Sequence, residues 1–457
     1  MTTTAPETTP RHARMALVLA SGAFFLTTLD ILIVNIALSS IGQELGGGTS
    51  ALQWVVDGYT LVFASLLLCA GNLSDRIGAR RAMAAGVILF GLTSVLCTLA
   101  PSTGLLIAAR AGQGAAAALI LPASMALLRE AFPDPVPRAH ALGVWTASGA
   151  VSAAAGPLLG GLLTTLDWRL VFAINIPVCL VMAILMRRVT PSPRRPVPFD
   201  WAGQVLVLVA LVALVFGLIE GGARGFADPV VLGALGLAAL GLVAFVLVQA
   251  RVRHPMMPLG LFRSAGLRIS LVGGFAFIGS WFGTVFVLSL YLQQELGMSP
   301  LAAGLVFLPS ALISLLGNLG SGPVVARFGP RFPAVLGLSS ITLGLVLLIP
   351  GLLSQSSVLL GLLILLVGAG GSIAMPPLTG LVLSSVEASQ SGIASAVLNT
   401  FRQVGGALAI AMMGALASSS AGFVGGAQIG FALAAAVALA AVLSALRIGA
   451  TERPMAA

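Results

Sequence analysis

Two acidic side chains lie inside long apolar stretches of the chain, where an ionisable group is costly and is a functional candidate by default. Asp30 lies in Leu29–Asn35, in the middle of a predicted helix, and Asp57 lies within Gln53–Tyr59. A carboxyl group in apolar surroundings can hold a proton near neutral pH, whereas a nearby cation favours the ionised form. We therefore predict that Asp30 and Asp57 handle protons or substrate. The alternative for each is a structural hydrogen bond near a helix end.

Two arginines also fall inside apolar stretches. Arg110 lies within Leu106–Gly114, and Arg402 lies within Asn399–Gln403. A guanidinium at such a depth needs acceptors, either carboxylates or backbone carbonyls. For Arg110 a role in coupling and a role in packing both remain open, whereas for Arg402 a structural role is favoured.

A short loop segment occurs twice. Gly71–Arg80 (GNLSDRIGAR) returns in the second half of the chain as Gly322–Arg331 (GPVVARFGPR), with Gly, Arg, Gly and Arg at matching offsets and with Asp75 replaced by Ala326. Such an echo is typical of secondary transporters built from two related bundles. The first copy is predicted to be a gating loop, in which charge-assisted bonds hold the cytoplasmic helix ends together and a glycine permits a tight turn. The predicted gating residues are Gly71, Asp75, Arg76, Gly78, Arg80 and Arg81. The alternative is a static, positively charged anchor.

A glycine string occupies one later apolar stretch. Glycines at this spacing clear one helix face for a close neighbour, and a proline adds a kink. The residues of this string are Gly149, Gly156, Pro157, Gly160 and Gly161.

Composition places these residues in a membrane protein. Of 457 residues, 58% are hydrophobic and 8% are charged, with a mean hydropathy of +1.07. Apolar stretches of about 20 residues recur along the chain, which predicts an all-α polytopic fold. The polar segment Met1–Arg14 has no small-residue cleavage site, so we expect no removable signal peptide. The cysteines Cys69, Cys97 and Cys179 lack paired spacing and are expected to be core residues.

The net charge of +9 is better explained by loop arginines that set membrane topology than by nucleic-acid binding. We predict fourteen spans, at approximately 15–38, 51–71, 82–100, 104–127, 139–163, 169–187, 201–220, 230–250, 269–292, 301–325, 333–352, 357–382, 392–418 and 427–447. Nineteen arginines then fall in loops on one side and two, Arg169 and Arg224, on the other. This asymmetry predicts that both termini are cytoplasmic.

The helix count between the two loop copies predicts the domain organisation. The copies are offset by eight spans rather than six, so two extra helices must lie between two six-helix bundles. The predicted parts are a cytoplasmic tail (1–14), an N-terminal bundle (15–187), a linker with two extra helices (188–268), a C-terminal bundle (269–447) and a cytoplasmic tail (448–457).

The sequence offers little for an enzyme. No metal-ligand cluster, phosphate loop or hydrolase triad is visible, and His12, His140 and His254 have no ligand partner at suitable spacing. We expect no enzyme activity, no cofactor and no bound metal.

At these residues the chain resembles the major facilitator superfamily, specifically its fourteen-helix drug:proton antiporters. The resemblance covers nearly the whole chain, and the matching segments are Leu29–Leu38, Gly71–Arg81, Arg110–Gly114, Gly149–Gly161, Trp168–Pro177, Tyr291–Gln294 and Asn399–Gly406. It implies proton-driven export of small, often amphipathic or cationic compounds by alternating access. It further implies that Asp30 and Asp57 handle protons or substrate, that Arg110 supports proton transfer and that Asp75 with Arg76 governs gating.

Two departures from the family pattern bear on the substrate. Ser39 stands where the helix 1 motif usually has proline. Some relatives that export polyvalent cations also place acids in spans 10 and 13, whereas the apolar core of neither span holds one here. This difference favours monovalent or neutral hydrophobic substrates.

The sequence therefore predicts a proton-coupled exporter of small hydrophobic or cationic compounds in a bacterial cytoplasmic membrane, working as a monomer with small-molecule substrate, protons and lipid as its partners and with no nucleic acid. One alternative is a dedicated exporter of a single endogenous metabolite or self-made antibiotic. Another is a membrane sensor or scaffold that transports nothing. Such a protein would need neither membrane-buried acids nor the glycine string.

Overall fold

The computed structural model describes residues 10–194, 198–387, 390–418 and 422–449, and within them the chain forms helices joined by short connections, with no strand. Helices suit a membrane interior because they satisfy every backbone polar group within one segment. The predicted tail segments 1–9 and 450–457, together with Arg195 and Arg453, lie outside the described residues. The helices are α1 (Pro10–Leu45), α2 (Gly48–Ile77), α3 (Ala79–Thr98), α4 (Thr103–Ala131), α5 (Pro135–Leu166), α6 (Leu170–Ala173), α7 (Asn175–Met186), α8 (Trp201–Arg224), α9 (Pro229–Arg251), α10 (Ala265–Leu290), α11 (Pro300–Phe328), α12 (Arg331–Gly351), α13 (Ser357–Ser384), α14 (Ser391–Ala417) and α15 (Gly422–Ala445).

Fourteen membrane-crossing segments are confirmed among the described residues. Thirteen helices are long and apolar enough to cross a membrane, and the shorter apolar segment Leu170–Met186, which combines α6 and α7, supplies the other. The apolar pattern underestimates helix length, because helices continue beyond the apolar part: α1 extends to Leu45 and α2 begins at Gly48. Asp57 is consequently the tenth residue of α2, deeper in the helix than its predicted span implied.

The two echoed loops form the same kind of turn. Gly78 ends α2 with a φ of 92°, and Gly329 ends α11 with a φ of 72°. Both values lie in the region that favours glycine over residues with a Cβ. A helix follows at once in each case, α3 after Gly78 and α12 almost directly after Gly329. The tight turn predicted at Gly78 is therefore present, and its counterpart is present in the second half.

Helix packing follows two sets of neighbours. In the first set, α1 packs on α4 and α5, while α4 also packs on α2 and α3. In the second, α10 packs on α13, α14 and α15, and α12 packs on α13 and α15. The sets meet through α5 with α11, α2 with α14 and α1 with α10. The pair α8 and α9 packs together, and α8 also contacts α2 and α14. The division into bundles at 15–187, 188–268 and 269–447 stays a prediction.

Hydrogen bonds between the two sets lie at the end of the helices away from the Gly78 turn. Ser289 Oγ donates to the carbonyl of Asn35 at 2.5 Å, and Gln293 Nε2 donates to the carbonyl of Ile36 at 3.0 Å. Gln53 Nε2, in the early part of α2, donates to the carbonyl of Ala411 at 2.7 Å. The two sets are therefore joined by hydrogen bonds at the arginine-poor end.

Candidate functional site

The centre of the candidate site is an ion pair between α1 and α4. Arg110 Nη1 donates to Asp30 Oδ2, and both side chains are fully buried. Arg110 also donates from Nε to the carbonyl of Val55 at 3.1 Å and from Nη1 to Gln113 Oε1 at 2.8 Å. The arginine therefore has both kinds of acceptor that its depth requires, a carboxylate and a backbone carbonyl.

The second oxygen of Asp30 is held by two amides. Oδ1 accepts from Asn175 Nδ2 at 2.8 Å and from Gln113 Nε2 at 3.3 Å. Gln113 Nε2 donates in addition to Ser94 Oγ of α3 at 2.8 Å. Breaking a buried ion pair leaves an uncompensated charge, and these extra hydrogen bonds satisfy the lone pairs that the pair alone leaves open. Residues from α4 and α7 thus converge on the carboxylate of Asp30 on α1, and Ser94 of α3 holds one of them, Gln113, in place.

Aromatic rings cover the guanidinium of Arg110. Its Cζ lies 4.5 Å from the centroid of the Tyr59 ring and 5.7 Å from that of Phe172. A cation over a ring face is attracted by the ring's quadrupole, and more strongly when water is excluded. Tyr59 is fixed in turn, because its hydroxyl donates to the carbonyl of Thr27 at 3.2 Å.

Asp57 lies apart from this cluster. Its side chain is fully buried, it accepts from Thr60 Oγ1 at 3.1 Å, and its Oδ2 has no hydrogen-bond partner. Gln53 lies one turn earlier on the same face of α2 and donates to α14. Asp57 is therefore on the face of α2 that meets the second set of helices. The structure brings Asp30 and Arg110 together, and no cation among the described residues pairs with Asp57.

In the predicted gating loop, one arginine is hydrogen-bonded to a neighbouring segment and three other charged side chains are exposed. Arg80 Nε donates to the carbonyl of Met186 at 3.1 Å, and its backbone N–H donates to Ser192 Oγ at 3.0 Å. Asp75, Arg76 and Arg81 are exposed, and Asp75 forms no ion pair or hydrogen bond with any described residue. Arg80 thus connects the loop to the end of α7. The side chain of Asp75 remains accessible to a cationic partner.

The glycine string of α5 provides two close helix contacts. A Cβ at Gly149, Gly156 or Gly160 would lie within 2.2–2.8 Å of α1 atoms, namely Phe24 Cε1, Leu32 Cβ and the carbonyl oxygen of Ile33. A Cβ at Gly161 would lie 2.7 Å from Leu301 Cα of α11, and one at Gly304 of α11 would lie 2.3 Å from the carbonyl oxygen of Pro157. The string therefore allows α5 to pack closely against α1 on one face and against α11 on another.

Sequence reasoning missed the amide members of the cluster. Asn175 and Gln113 were noticed only inside segments that resemble a family pattern, and neither was assigned a role. The available signal was chemical: each is a polar amide within an apolar run, and such a residue needs a partner. Within the described residues, no group of three or more His, Cys, Asp or Glu side chains could hold a metal ion.

Two sets of helices that meet along a seam with ionisable groups beside it, with α8 of the α8–α9 pair packed on both, define a multi-span membrane transporter. A profile of the Major Facilitator Superfamily matches residues 20–410, and the chain belongs to this superfamily. It is 36% identical to the methylenomycin A resistance protein of Streptomyces coelicolor, over 94% of this chain and 91% of the relative. It is 35% identical to the multidrug resistance protein Stp of Mycobacterium tuberculosis, over 89% of this chain and 76% of the relative.

The fold has solved counterparts. A crystal structure of a POT family transporter in complex with a thioalcohol-conjugated peptide superposes with a TM-score of 0.72, covering 96% of this chain and 97% of the other, at 13% sequence identity. At that identity the likeness shows the fold alone.

Proposed function

We propose that the protein exports small hydrophobic or cationic compounds from the cell in exchange for protons, by alternating access of one central site to the two sides of the membrane. The observation that carries the proposal is the contrast between its two buried acids. Asp30 is neutralised by Arg110 and two amides, whereas Asp57 has an oxygen without any partner and faces the seam between the two sets of helices. The relatives' names, resistance to methylenomycin A and resistance to multiple drugs, support efflux as the direction.

Asp57 is assigned as the acid that alternates between a proton and substrate. A carboxylate already paired with a guanidinium gains a proton only by giving up that pair. Asp57 has no such competitor, so a proton or a cationic substrate can occupy it in turn. This exclusive occupancy couples the inward movement of protons to the outward movement of substrate, because each binding event requires the other ligand to have left.

Asp30 and Arg110 are assigned a positioning and relay role. The pair joins α1 to α4, and Arg110 holds α2 as well through the carbonyl of Val55. Any change in the charge of Asp30 would therefore alter contacts of three helices, α1, α2 and α4, at once. This arrangement supports proton transfer through rearrangement of a hydrogen-bond network rather than through binding of substrate.

The gating loop is assigned to the cytoplasmic side. The inter-set hydrogen bonds lie at the opposite end, at Ser289, Gln293 and Gln53, and Asp75 is exposed and unpaired among the described residues. We expect Asp75 and Arg76 to form charge-assisted bonds when the cytoplasmic ends approach each other. Both termini are proposed to be cytoplasmic, in the cytoplasmic membrane of a bacterium, and one chain is proposed to be the working unit.

A dedicated exporter of one metabolite or self-made antibiotic is the second candidate. It is favoured by the relative named for a single antibiotic, methylenomycin A, which matches over more of this chain than the multidrug relative does. A resistance screen in a sensitive host, with cationic, neutral and acidic compounds, separates the two: protection against several unrelated compounds supports a multidrug exporter, and protection against one supports a dedicated exporter.

The test of proton coupling uses purified full-length protein in proteoliposomes and a compound found in that screen. An imposed pH gradient should drive its accumulation, and dissipating the gradient with a protonophore should stop it. A sensor or scaffold would move no substrate under either condition, which would refute the proposal.

A further inference from the structure

Arg402 is a second arginine deep within a membrane-crossing helix. It is the twelfth residue of the 27-residue helix α14, so several helical turns separate it from either end. A cation at such a depth is costly and requires an acceptor. Arg110 shows how that requirement is met in this protein, through a carboxylate, an amide and a carbonyl.

Arg402 lacks such partners among the described residues. Its Nη1 donates to Asn399 Oδ1, on its own helix, at 3.2 Å, its Nε is buried without a partner, and no carboxylate lies within ion-pair distance of it. One neutral hydrogen bond does not offset the desolvation of a guanidinium. The charge of Arg402 is therefore uncompensated in this conformation.

Arg402 is packed on one side and accessible on another. Its stem packs closely on Gly274 of α10, where a Cβ would lie only 2.9 Å from Arg402 Cγ, and its side chain is partly exposed. The adjacent Gln403 has a buried Oε1 without a partner. Further along α14, the carbonyls of Ile410 and Ala411 accept from Gln53 of α2. Arg402 therefore lies on a helix that contacts α10 at this level and contacts α2 of the first set further along.

We propose that Arg402 is the binding site for the acidic group, such as a carboxylate, of a hydrophobic compound that the protein exports. The inference rests on the proposed export function and narrows its substrate class. A carboxylate can accept from Nε and a terminal nitrogen of one guanidinium together, in the bidentate geometry to which arginine is suited. Asn399 fixes the guanidinium through Nη1 and leaves Nε free for the ligand.

With this site, each set of helices carries an ionisable side chain that has no ion-pair partner among the described residues, and the two are of opposite charge type. Asp57 on α2 is an acid without a cation, and Arg402 on α14 is a cation without an acid. The acidic group of a zwitterionic substrate on Arg402 and its cationic group on Asp57 would each supply the missing partner, and a proton on Asp57 would then compete with the cationic group. The acidic group is what Arg402 adds to the substrate class, because a simple cation finds no partner there.

The test compares three compounds that share one ring system: 2-naphthoate, 2-naphthamide and 2-naphthylmethylammonium. Binding is measured on the full-length protein in lipid nanodiscs without a proton gradient. Wild type should bind the anion about tenfold or more tightly than the amide, as expected for a charge-assisted bidentate pair. Arg402→Gln should remove this preference and leave amide binding unchanged, while Arg402→Lys should retain part of it.

The control variant is Arg327→Gln, at the exposed end of α11, which should keep the anion preference. The inference is overturned if wild type binds anion and amide equally, or if Arg402→Gln weakens all three compounds alike, as a purely structural arginine or an internal partner of Asp57 would require. Because binding needs no gradient, the two proposals can fail separately. Anion preference without gradient-driven transport would refute antiport alone, and transport without anion preference would refute this site alone.

Discussion

Asp30 of α1 and Arg110 of α4 form an ion pair in which neither side chain has exposed surface. Two amides complete the coordination of the carboxylate, and two aromatic rings flank the guanidinium. Asp57, on the neighbouring helix α2, has only a hydroxyl for a partner. The same residue type thus occupies two environments in one half of the protein, and the roles that we propose, positioning for Asp30 and proton carrying for Asp57, rest on that difference.

The ion pair predicts a non-additive stability change. Asp30→Asn and Arg110→Met should each destabilise the protein, by about 3–5 kcal/mol, because each leaves one buried charge unpaired. The double variant should be destabilised by less than the sum of the two, because neither charge remains. Thermal unfolding of the purified variants measures this coupling. Additive effects would show that the pair does not contribute as a unit.

Asn175 predicts a loss of transport rate. Asn175→Ala removes a donor to Asp30 Oδ1 and leaves that oxygen with Gln113 as its remaining donor among the described residues. Gradient-driven transport should therefore fall by about tenfold, because the network that joins α1, α4 and α7 loses a charge-assisted hydrogen bond. Asn175→Gln should restore part of the rate, since it keeps the amide.

The matched control for Asn175 is Asn318→Ala on α11, which removes an amide that bonds to its own helix, at the carbonyl of Ser314. That variant should keep the wild-type transport rate. A wild-type rate for Asn175→Ala, or an equal loss for Asn175→Ala and Asn318→Ala, would remove Asn175 from the coupling network.

Gly160 predicts a packing defect. Gly160→Ala would place a Cβ 2.8 Å from the carbonyl oxygen of Ile33 and force α1 and α5 apart, at a cost of about 1–3 kcal/mol. Gly143→Ala, on the same helix, meets nothing within 4 Å and should be neutral or slightly stabilising. Melting temperatures of the two variants in detergent compare them directly. Equal melting would mean that the α1–α5 contact tolerates a side chain.

Membrane orientation predicts a labelling pattern. Ala227→Cys, between α8 and α9, should react with a membrane-impermeant maleimide on intact cells, and Arg253→Cys, after α9, should react only once the membrane is opened. The native cysteines are buried, so the background should be low. The reverse pattern would place both termini outside.

The sequence predicted the helices and the loop geometry well because these depend on local patterns. Apolar length predicts a membrane crossing, and a glycine followed by a new helix predicts a turn such as those at Gly78 and Gly329. The glycine string predicted a helix face without side chains. The sequence could not show that part of the string contacts α1 and part contacts α11, because those partners are determined by the fold. The last turns of α1 were missed because the continuous apolar pattern ends at Leu38 and polar residues such as Gln43 and Glu44 follow.

Partnership within the site could not be predicted from the sequence. Asp30, Arg110 and Asn175 lie on different helices far apart in the chain, and only the fold determines that they meet while Asp57 does not. For Arg402 the sequence favours a structural role. The structure supplies one such bond, to Asn399, and leaves Nε without a partner.

The most direct test of the central claim is gradient-driven transport by Asp57→Asn in proteoliposomes, beside substrate exchange measured without a gradient. The control is Asp228→Asn, because Asp228 caps α9 through the backbone N–H of Val230 and asparagine caps equally well. The account predicts that Asp57→Asn loses accumulation against a pH gradient but keeps exchange, while Asp228→Asn keeps both. Full gradient-driven accumulation by Asp57→Asn would contradict the assignment of Asp57 as the proton-carrying acid.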